Sequence, residues 1–224
     1  MTLPDMTAQL AEQTKNQGLD RRRPLLIVDA DEVLLQFVVC FEAFLSSRGL
    51  YLDLKSYALF GNVRRLRDEA ALSRDTVARL IEDFFHERAQ DIPPVAGAAD
   101  ALSGLWARAQ IVVLSNIPAD QRLARRRGLA HHGMDYPVLV NVGPKGGAVA
   151  ALARLVAAPV LFIDDVPRNI ASVARAAGHV RRIHFVADPR LAALIAPAPD
   201  SHARIDHWPE ARCYIEDWLS AGGF

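Results

Sequence analysis

The sequence predicts an α/β fold: a doubly wound, mostly parallel, five-stranded sheet of the Rossmann-like type, with a small helical cap inserted after the first strand. Two observations lead to this prediction. Short continuous apolar runs recur along the chain, and segments with helical spacing lie between them. Continuous apolarity is typical of parallel strands that helices cover on both faces. In strands with one solvent-exposed face, apolar and polar residues alternate instead. The pattern therefore favours alternating strands and helices in one sheet.

Each predicted strand is a short apolar run bounded by polar or turn residues. The five runs lie at residues 25–28, 111–114, 138–140, 160–163 and 183–186. Helical patterns at 98–108, 146–156 and 167–177 lie between them, and the last ends before Gly178, a residue typical of helix C-termini.

The connection after the first strand is different from the others. No run of the buried-strand type occurs from residue 36 to residue 92, and helical signals take its place. Apolar residues dominate 37–47, and Ser73 is a suitable N-cap for a helix that carries Val77, Phe84 and Phe85 on one face. We therefore predict a helical cap domain at 36–92 and a core domain at 24–35 and 93–224. Residues 1–23 form a predicted flexible arm, with a short helix near 6–14.

The composition excludes several classes of protein. The 224 residues carry 26 basic and 26 acidic side chains, so the formal net charge is zero, which does not suit a protein that binds a nucleic-acid backbone. No apolar run is long enough to cross a bilayer, and the first residues do not resemble a secretory signal. Cys40 and Cys213 are expected to be reduced thiols. We expect a cytoplasmic monomer or homodimer that binds neither nucleic acid nor membrane.

Acidic residues follow two of the predicted strands. Asp29 and Asp31 come after the first strand, with Glu32 next, and Asp164 and Asp165 come after the fourth. Carboxylates gathered at strand ends repel one another unless a cation compensates them, and oxygen ligands suit Mg²⁺. A turn that ends a strand, or an acidic helix N-cap, would explain any one of them alone.

Two further segments carry groups that suit an anion. Ser115 and Asn116 end the second strand, and Lys145 stands in a Gly- and Pro-rich loop where a helix starts. Helix N-termini attract anions, although Ser-Asn is also ordinary N-cap chemistry and Lys145 could be a surface lysine. All four segments fall where open α/β sheets bind ligands, and together they supply the groups that phosphoryl transfer requires.

In this arrangement the sequence resembles the haloacid dehalogenase superfamily of phosphohydrolases. Four motifs match in order: Asp29-Ala30-Asp31, Ser115, Lys145 and Asp164-Asp165. The segments at 94–98, 114–116 and 164–169 resemble the family beyond these single residues, and the match covers about residues 25 to 186.

The resemblance implies a mechanism. Asp29 would attack phosphorus to form an aspartyl-phosphate, and Asp31 would protonate the leaving group and then activate water. Ser115, Lys145 and the main chain of Asn116 would bind the phosphoryl oxygens. Asp29, the Asp31 carbonyl and Asp164 or Asp165 would hold Mg²⁺. The expected substrate is a small phosphorylated metabolite, such as a sugar phosphate or a nucleotide.

The sequence departs from the family pattern directly after the second aspartate. Many members have Gly and often Thr there, whereas this chain has Glu32 and Val33. Glu32 adds negative charge and removes the flexibility of Gly, and Val33 lacks a hydroxyl, so turnover could be reduced or lost.

Two groups of arginines bear on substrate binding. Arg64, with Arg65 and Arg67, is a candidate contact for a second anionic group, or part of a solvated basic turn. The arginines 125–127 are predicted to form an exposed helix end.

Two alternative functions stay open. A metal-independent dehalogenase would use Asp29 on carbon, although Asp31 and the Asp164-Asp165 pair argue against it, since that reaction needs no metal carboxylates. A binding protein could instead keep the fold and a phosphorylated ligand without turnover.

Overall fold

The structure, a computed structural model, describes residues 18–224, so the predicted helix near 6–14 lies outside the described residues. Its main sheet has six strands: β1 (Leu25–Val28), β4 (Gln110–Ser115), β5 (Val138–Val140), β6 (Val160–Asp164), β7 (Arg181–His184) and β8 (Ala203–Arg204). They are all parallel and lie in the order β5-β4-β1-β6-β7-β8. The predicted parallel α/β fold is confirmed.

Two details of the predicted sheet were wrong. The sheet has a sixth strand, β8, at the edge beside β7. This strand has only two residues, too few to form an apolar run that the sequence would reveal. β7 also starts at Arg181 rather than Ile183, because Arg181 and Arg182 pair with Leu161 and Phe162 of β6. An edge region tolerates such polar residues, because their long side chains can reach solvent.

Helices cover both faces of the sheet. They are α1 (Phe37–Ser46), α2 (Arg74–Arg88), α3 (Ala98–Trp106), α4 (Arg122–His131), α5 (Gly146–Ala153), α6 (Pro167–Ala176), α7 (Pro189–Ala192) and α8 (Trp208–Ala221). Along β1, Leu26 and Val28 belong to one buried cluster, whereas Leu25 and Ile27 belong to another. Successive side chains of a strand point to opposite faces, so β1 is apolar throughout because both of its faces are covered.

The inserted segment contains two helices and also a small hairpin, which the prediction missed. β2 (Leu50–Leu52) pairs antiparallel with β3 (Val63–Arg65). Each strand has three residues, too few for a recognisable apolar run. The predicted helices are both present, and the Ser73 hydroxyl accepts from the Thr76 N–H at 3.3 Å as the expected N-cap.

A cluster of aromatic rings joins α1 to α2. Phe37, Phe41 and Phe44 of α1 each meet Phe84 of α2 edge-to-face, with ring centroids 5.2 to 5.4 Å apart. These rings belong to the same buried cluster as Val28 of the sheet. The insertion therefore packs directly against the core.

The N-terminal end of the described chain is anchored to β4. The Gln110 amide donates to the main-chain carbonyls of Asp20 and Arg23, at 2.8 and 3.0 Å. Cys40 and Cys213 are both unpaired thiols, as expected. Among residues 18–224, none of the helices combines the length and the apolar character that crossing a bilayer requires.

Candidate active site

The site is built at the carboxyl ends of β1 and β6, which are neighbours in the sheet. The Asp29 N–H continues the ladder by donating to the Ile163 carbonyl at 2.9 Å, and the chain then turns, so that the Leu34 and Leu35 N–H groups both donate to Ala30. β1 lies between β4 and β6, the kind of position where open parallel sheets form a ligand crevice.

Three carboxylates meet at this point. Asp29, Asp164 and Asp165 are buried, and each offers an oxygen within 4.8 Å of the others. The Lys145 ammonium group reaches between two of them, 2.6 Å from Asp29 Oδ1 and 2.8 Å from Asp164 Oδ2. Three of the four predicted motifs, those of Asp29, Lys145 and Asp164-Asp165, are therefore in contact.

The electrostatics of this cluster are unbalanced. Burial raises the pKa of Asp29 to about 6, with Lys145 opposing the shift and Asp164 adding to it. Burial and the neighbouring Asp164 and Asp29 raise the pKa of Asp165 well above its ordinary value. Burial lowers the pKa of Lys145, but the attraction of Asp164 and Asp29 outweighs it and the pKa is raised. One lysine faces three carboxylates, so the cluster has an excess of negative charge that a bound cation would neutralise.

The donor set fits a small divalent cation. The three groups that converge are carboxylates, the ligand type that Mg²⁺ prefers. Asp164 is held in place by the Asn169 amide at 3.0 Å and by the Val166 N–H at 2.8 Å. The carboxylate of Asp31 is not part of this group, and the prediction assigned to Asp31 only a main-chain carbonyl ligand.

Ser115 is fully buried at the end of β4. Its hydroxyl has no hydrogen-bond partner among the described residues, although a buried hydroxyl without a partner costs free energy. An anion at this point would supply the acceptor, in agreement with the predicted role of Ser115. The Asn116 side chain is occupied elsewhere, since its amide donates to the Gly143 carbonyl at 2.8 Å and its oxygen accepts from Asn141 at 2.9 Å.

Asp31 has a partner that the sequence analysis missed. Arg125 was predicted to lie on an exposed helix end, and this was wrong: it is 0% exposed. Its guanidinium donates to both Asp31 carboxylate oxygens, at 2.8 and 3.2 Å, and lies 5.4 Å from the Phe85 ring centre. Burial raises the pKa of Asp31, and the Arg125 charge opposes that shift.

The geometry of α4 explains the burial of Arg125. Arg125 shares one helix face with Gly128 and Leu129, which are buried, and this i, i+3, i+4 spacing was the available signal. A Cβ on Gly128 would lie 2.4 Å from the Gln90 carbonyl oxygen, so only glycine lets α4 come this close to the end of the insertion. The surrounding basic triplet hid the signal, because charged runs are usually solvated.

Glu32 does not add free charge to the site. Its backbone is left-handed, with φ of 57°, the conformation in which glycine is usual. Its carboxylate accepts from the Val38 N–H at 2.7 Å and from the Asp188 N–H at 3.2 Å, so it caps the first turn of α1. Burial raises the pKa of Glu32 to about 7.

Two side chains that the sequence analysis did not assign hold Asp165. The Tyr57 hydroxyl, from the insertion, contacts the Asp165 carboxylate and lies 2.9 Å from its carbonyl. His184 Nδ1 accepts from the Ala198 N–H, so the proton is on Nε2, which donates to the Asp165 carbonyl at 2.9 Å. Tyr57 lies far from the other site residues in the sequence, and no motif marks Tyr57 as a site residue.

Arg64 is not brought to the carboxylate cluster. Its guanidinium pairs with Asp53 at 2.9 Å and donates to the Glu69 carbonyl at 2.8 Å, both within the insertion. Arg65 and Arg67 both pair with Asp68. Among residues 18–224, none of the three has an ion pair with a site carboxylate.

Comparison with known proteins gives matches among solved structures. A hydrolase of the haloacid dehalogenase family from Deinococcus radiodurans, with bound phosphate and sodium, superposes with a TM-score of 0.61 at 18% identity, covering 89% of this chain and 98% of its own. The hydrolase YfnB of the same type from Bacillus subtilis, bound to magnesium, superposes with a TM-score of 0.60 at 16% identity, covering 88% of this chain and 99% of its own. An L-2-haloacid dehalogenase superposes with a TM-score of 0.56 at 15% identity, covering 87% of this chain and 99% of its own.

No family model and no curated protein sequence matches the chain. The chain has the fold of the haloacid dehalogenase-type hydrolases, which confirms the resemblance seen in the sequence. At this level of identity the matches show the fold, and the chemistry has to be argued from the site.

Proposed function

We propose that the protein is a Mg²⁺-dependent hydrolase that releases phosphate from a small phosphomonoester through an aspartyl-phosphate intermediate. The observation that carries this proposal is the buried group of Asp29, Asp164 and Asp165 around Lys145. It combines a nucleophile with ligands for a divalent cation and a fixed positive charge. The proposed partner is a small phosphorylated metabolite, and the zero net charge gives no support to a nucleic-acid substrate.

Each residue has a distinct role in this proposal. Asp29 attacks the phosphorus atom, and Lys145, 2.6 Å away, favours its ionised and nucleophilic form. The unpartnered Ser115 hydroxyl donates to a phosphoryl oxygen. Asp164 and Asp165, with Asp29, would hold Mg²⁺, which when bound offsets the negative charge of substrate and carboxylates.

Asp31 would handle the proton of the leaving group. Its contact with Arg125 favours the carboxylate, the form that accepts a proton from water in the second half of the reaction. Protonating the leaving group first requires one Asp31 oxygen to exchange its Arg125 contact for a proton. The first half of the reaction is therefore the half that this ion pair slows.

The test is phosphate release from a generic aryl phosphate with Mg²⁺. We expect Asp29→Asn to lose activity by at least about a thousandfold, because an amide is not a nucleophile. Asp135→Asn, at an exposed aspartate, is the matched control and should keep wild-type activity. Wild-type activity in Asp29→Asn would show that another group attacks.

Two observations favour other functions. One match is an L-2-haloacid dehalogenase, and in such a reaction Asp29 would attack carbon, with activity that resists a chelator. The double contact of Arg125 with Asp31 instead favours a phospholigand-binding protein without turnover. In that case ligand would bind, but no substrate would release phosphate.

A further inference from the structure

A cavity of about 550 Å³ lies between the insertion and the loops that follow β6 and β7. The insertion contributes Leu54, Leu59 and Phe60 to its lining, and the segments after β6 and β7 contribute Val166, Leu191 and Ile195. Its size is in the range of small-molecule sites, most of which combine an apolar lining with a few polar groups.

The cavity opens onto the carboxylate cluster. Asp165 and Tyr57 both line it, and the Tyr57 hydroxyl contacts Asp165. A phosphomonoester with its phosphoryl group at Asp29 would therefore place the rest of the molecule in the cavity. The cavity is therefore the candidate site for the leaving group.

The polar groups of the cavity suit an anion but not a polyhydroxylated body. Its charged side chains are Glu32, Asp165, Arg74 and Arg168. The Glu32 oxygens already accept from main-chain N–H groups, and Asp165 belongs to the cluster. Arg74 lies 4.4 Å over the Phe60 ring, and among the described residues neither it nor Arg168 has an ion pair. Sugar hydroxyls against the remaining, apolar wall would lose water without gaining partners.

From this lining we propose that the preferred substrate carries an apolar leaving group, an alkyl or aryl phosphate rather than a sugar phosphate. This inference rests on the proposed phosphohydrolase function and specifies its substrate class. The apolar body would bury its surface against the leucine, isoleucine and phenylalanine side chains, while Arg74 and Arg168 attract the anionic ester to the cavity.

The test uses primary n-alkyl phosphates of increasing length, because their leaving alcohols have nearly the same reactivity. With Mg²⁺, kcat/KM should rise from ethyl to butyl to hexyl phosphate by up to about fourfold per methylene, and by about tenfold or more overall. Glucose 6-phosphate should be no better than ethyl phosphate. Equal values along the series, or a preference for glucose 6-phosphate, would overturn the inference and leave phosphatase activity standing.

A binding measurement separates this inference from the proposed function. Calorimetric titration with hexylphosphonate and ethylphosphonate, which cannot be hydrolysed, should show tighter binding of the hexyl compound. If this preference appears without hydrolysis of any ester, the cavity assignment holds and the phosphatase proposal fails. If neither phosphonate binds and no ester is hydrolysed, both fail.

Variants locate the preference in the cavity. Leu59→Asn and Ile195→Asn, one in the insertion and one after β7, should each lower the hexyl-to-ethyl ratio of kcat/KM several-fold. Leu66→Asn is the matched control, because Leu66 is an exposed leucine of the same insertion that does not line the cavity. An unchanged ratio in both wall variants would overturn the assignment, and two wall positions guard against one variant failing to fold.

Discussion

At the scale of residues, the two aspartates of the first motif are held by two different buried cations. Asp29 contacts Lys145, whereas Asp31 contacts Arg125. Truncating one partner of such a pair leaves a charge without compensation, and the cost exceeds the net value of the pair. These contacts give the two carboxylates different surroundings, which supports the different roles proposed for them.

We expect Arg125→Met to lower the free energy of unfolding by about 2 to 3 kcal/mol, less than for a fully buried pair because the Asp31 side chain is 21% exposed. Arg126→Met, next along the helix, removes an exposed ion pair with Asp135 and should change the free energy of unfolding by about 0.5 kcal/mol or less. Urea unfolding compares the two variants. Equal effects would mean that Arg125 contributes no more than a surface charge.

Glu32 makes a prediction about pH. Its pKa is about 7 in the folded state against 4.5 ordinarily, so between these values the folded protein holds a proton that the unfolded chain has released. Stability from this group is complete below pH 4.5 and is lost as the pH rises through 7. Between pH 5 and pH 8, wild type should lose roughly 2 kcal/mol more than Glu32→Gln.

The measurement is urea unfolding at both pH values with a chelator present. Glu82→Gln, at an exposed glutamate of α2, is the control and should follow wild type. A Glu32→Gln protein whose pH dependence matches wild type would show that the carboxyl group is not the source.

At the scale of elements, close backbone approaches position the functional side chains. α5 begins directly after Lys145, and its first residue is Gly146, whose N–H donates to the Ser172 hydroxyl of α6 at 2.9 Å. A Cβ on Gly146 would lie 2.2 Å from the Ser172 carbonyl oxygen. The contact between α5 and α6 therefore fixes where Lys145 enters the site.

We expect Gly146→Ala to destabilise the protein by about 1 to 3 kcal/mol and to reduce phosphate release, because α5 must move away from α6. Gly104→Ala, within α3, is the matched control. Its Cβ would meet only the end of the flexible Arg212 side chain, so the helix preference for alanine should make it neutral or stabilising. Thermal unfolding and activity of both variants test this, and a harmless Gly146→Ala would contradict it.

At the scale of the whole molecule, the excess negative charge of the buried carboxylates links metal binding to stability. Mg²⁺ that binds only the folded state stabilises it, by about 2.7 kcal/mol at one hundred times its Kd. We expect the unfolding temperature to rise with Mg²⁺ and the affinity to rise with pH, since burial and its acidic neighbours raise the pKa of Asp165.

The corresponding variant is Asp165→Asn. In a chelator at pH 8 it should be at least as stable as wild type, because it removes a carboxyl that is costly to ionise in this position, but it should lose the response to Mg²⁺. Asp135→Asn, at an exposed aspartate, should respond as wild type does. A full Mg²⁺ response in Asp165→Asn would remove Asp165 from the ligand set.

Much of the site follows from the sequence because its motifs are local. Asp29, Ser115, Lys145 and Asp164 each follow or precede an element whose pattern is legible, and parallel strands bring their carboxyl ends to one edge. Arg125 and Tyr57 were missed because their roles depend on distant residues: Arg125 contacts Asp31, and Tyr57 contacts Asp165. The pairing of Arg64 with Asp53 was missed for the same reason, since it depends on how the insertion folds.

By itself, the sequence determined the parallel α/β fold, the place of the insertion and the residues that meet at the strand ends. These follow from hydrophobic periodicity and chain direction, which are properties of short segments. Only the tertiary structure decided that Glu32 caps a helix, that Arg125 is buried against Asp31 and that an apolar cavity adjoins Asp165. Burial, pairing and cavity shape depend on what packs against a residue, and that is set by contacts between segments far apart in the chain.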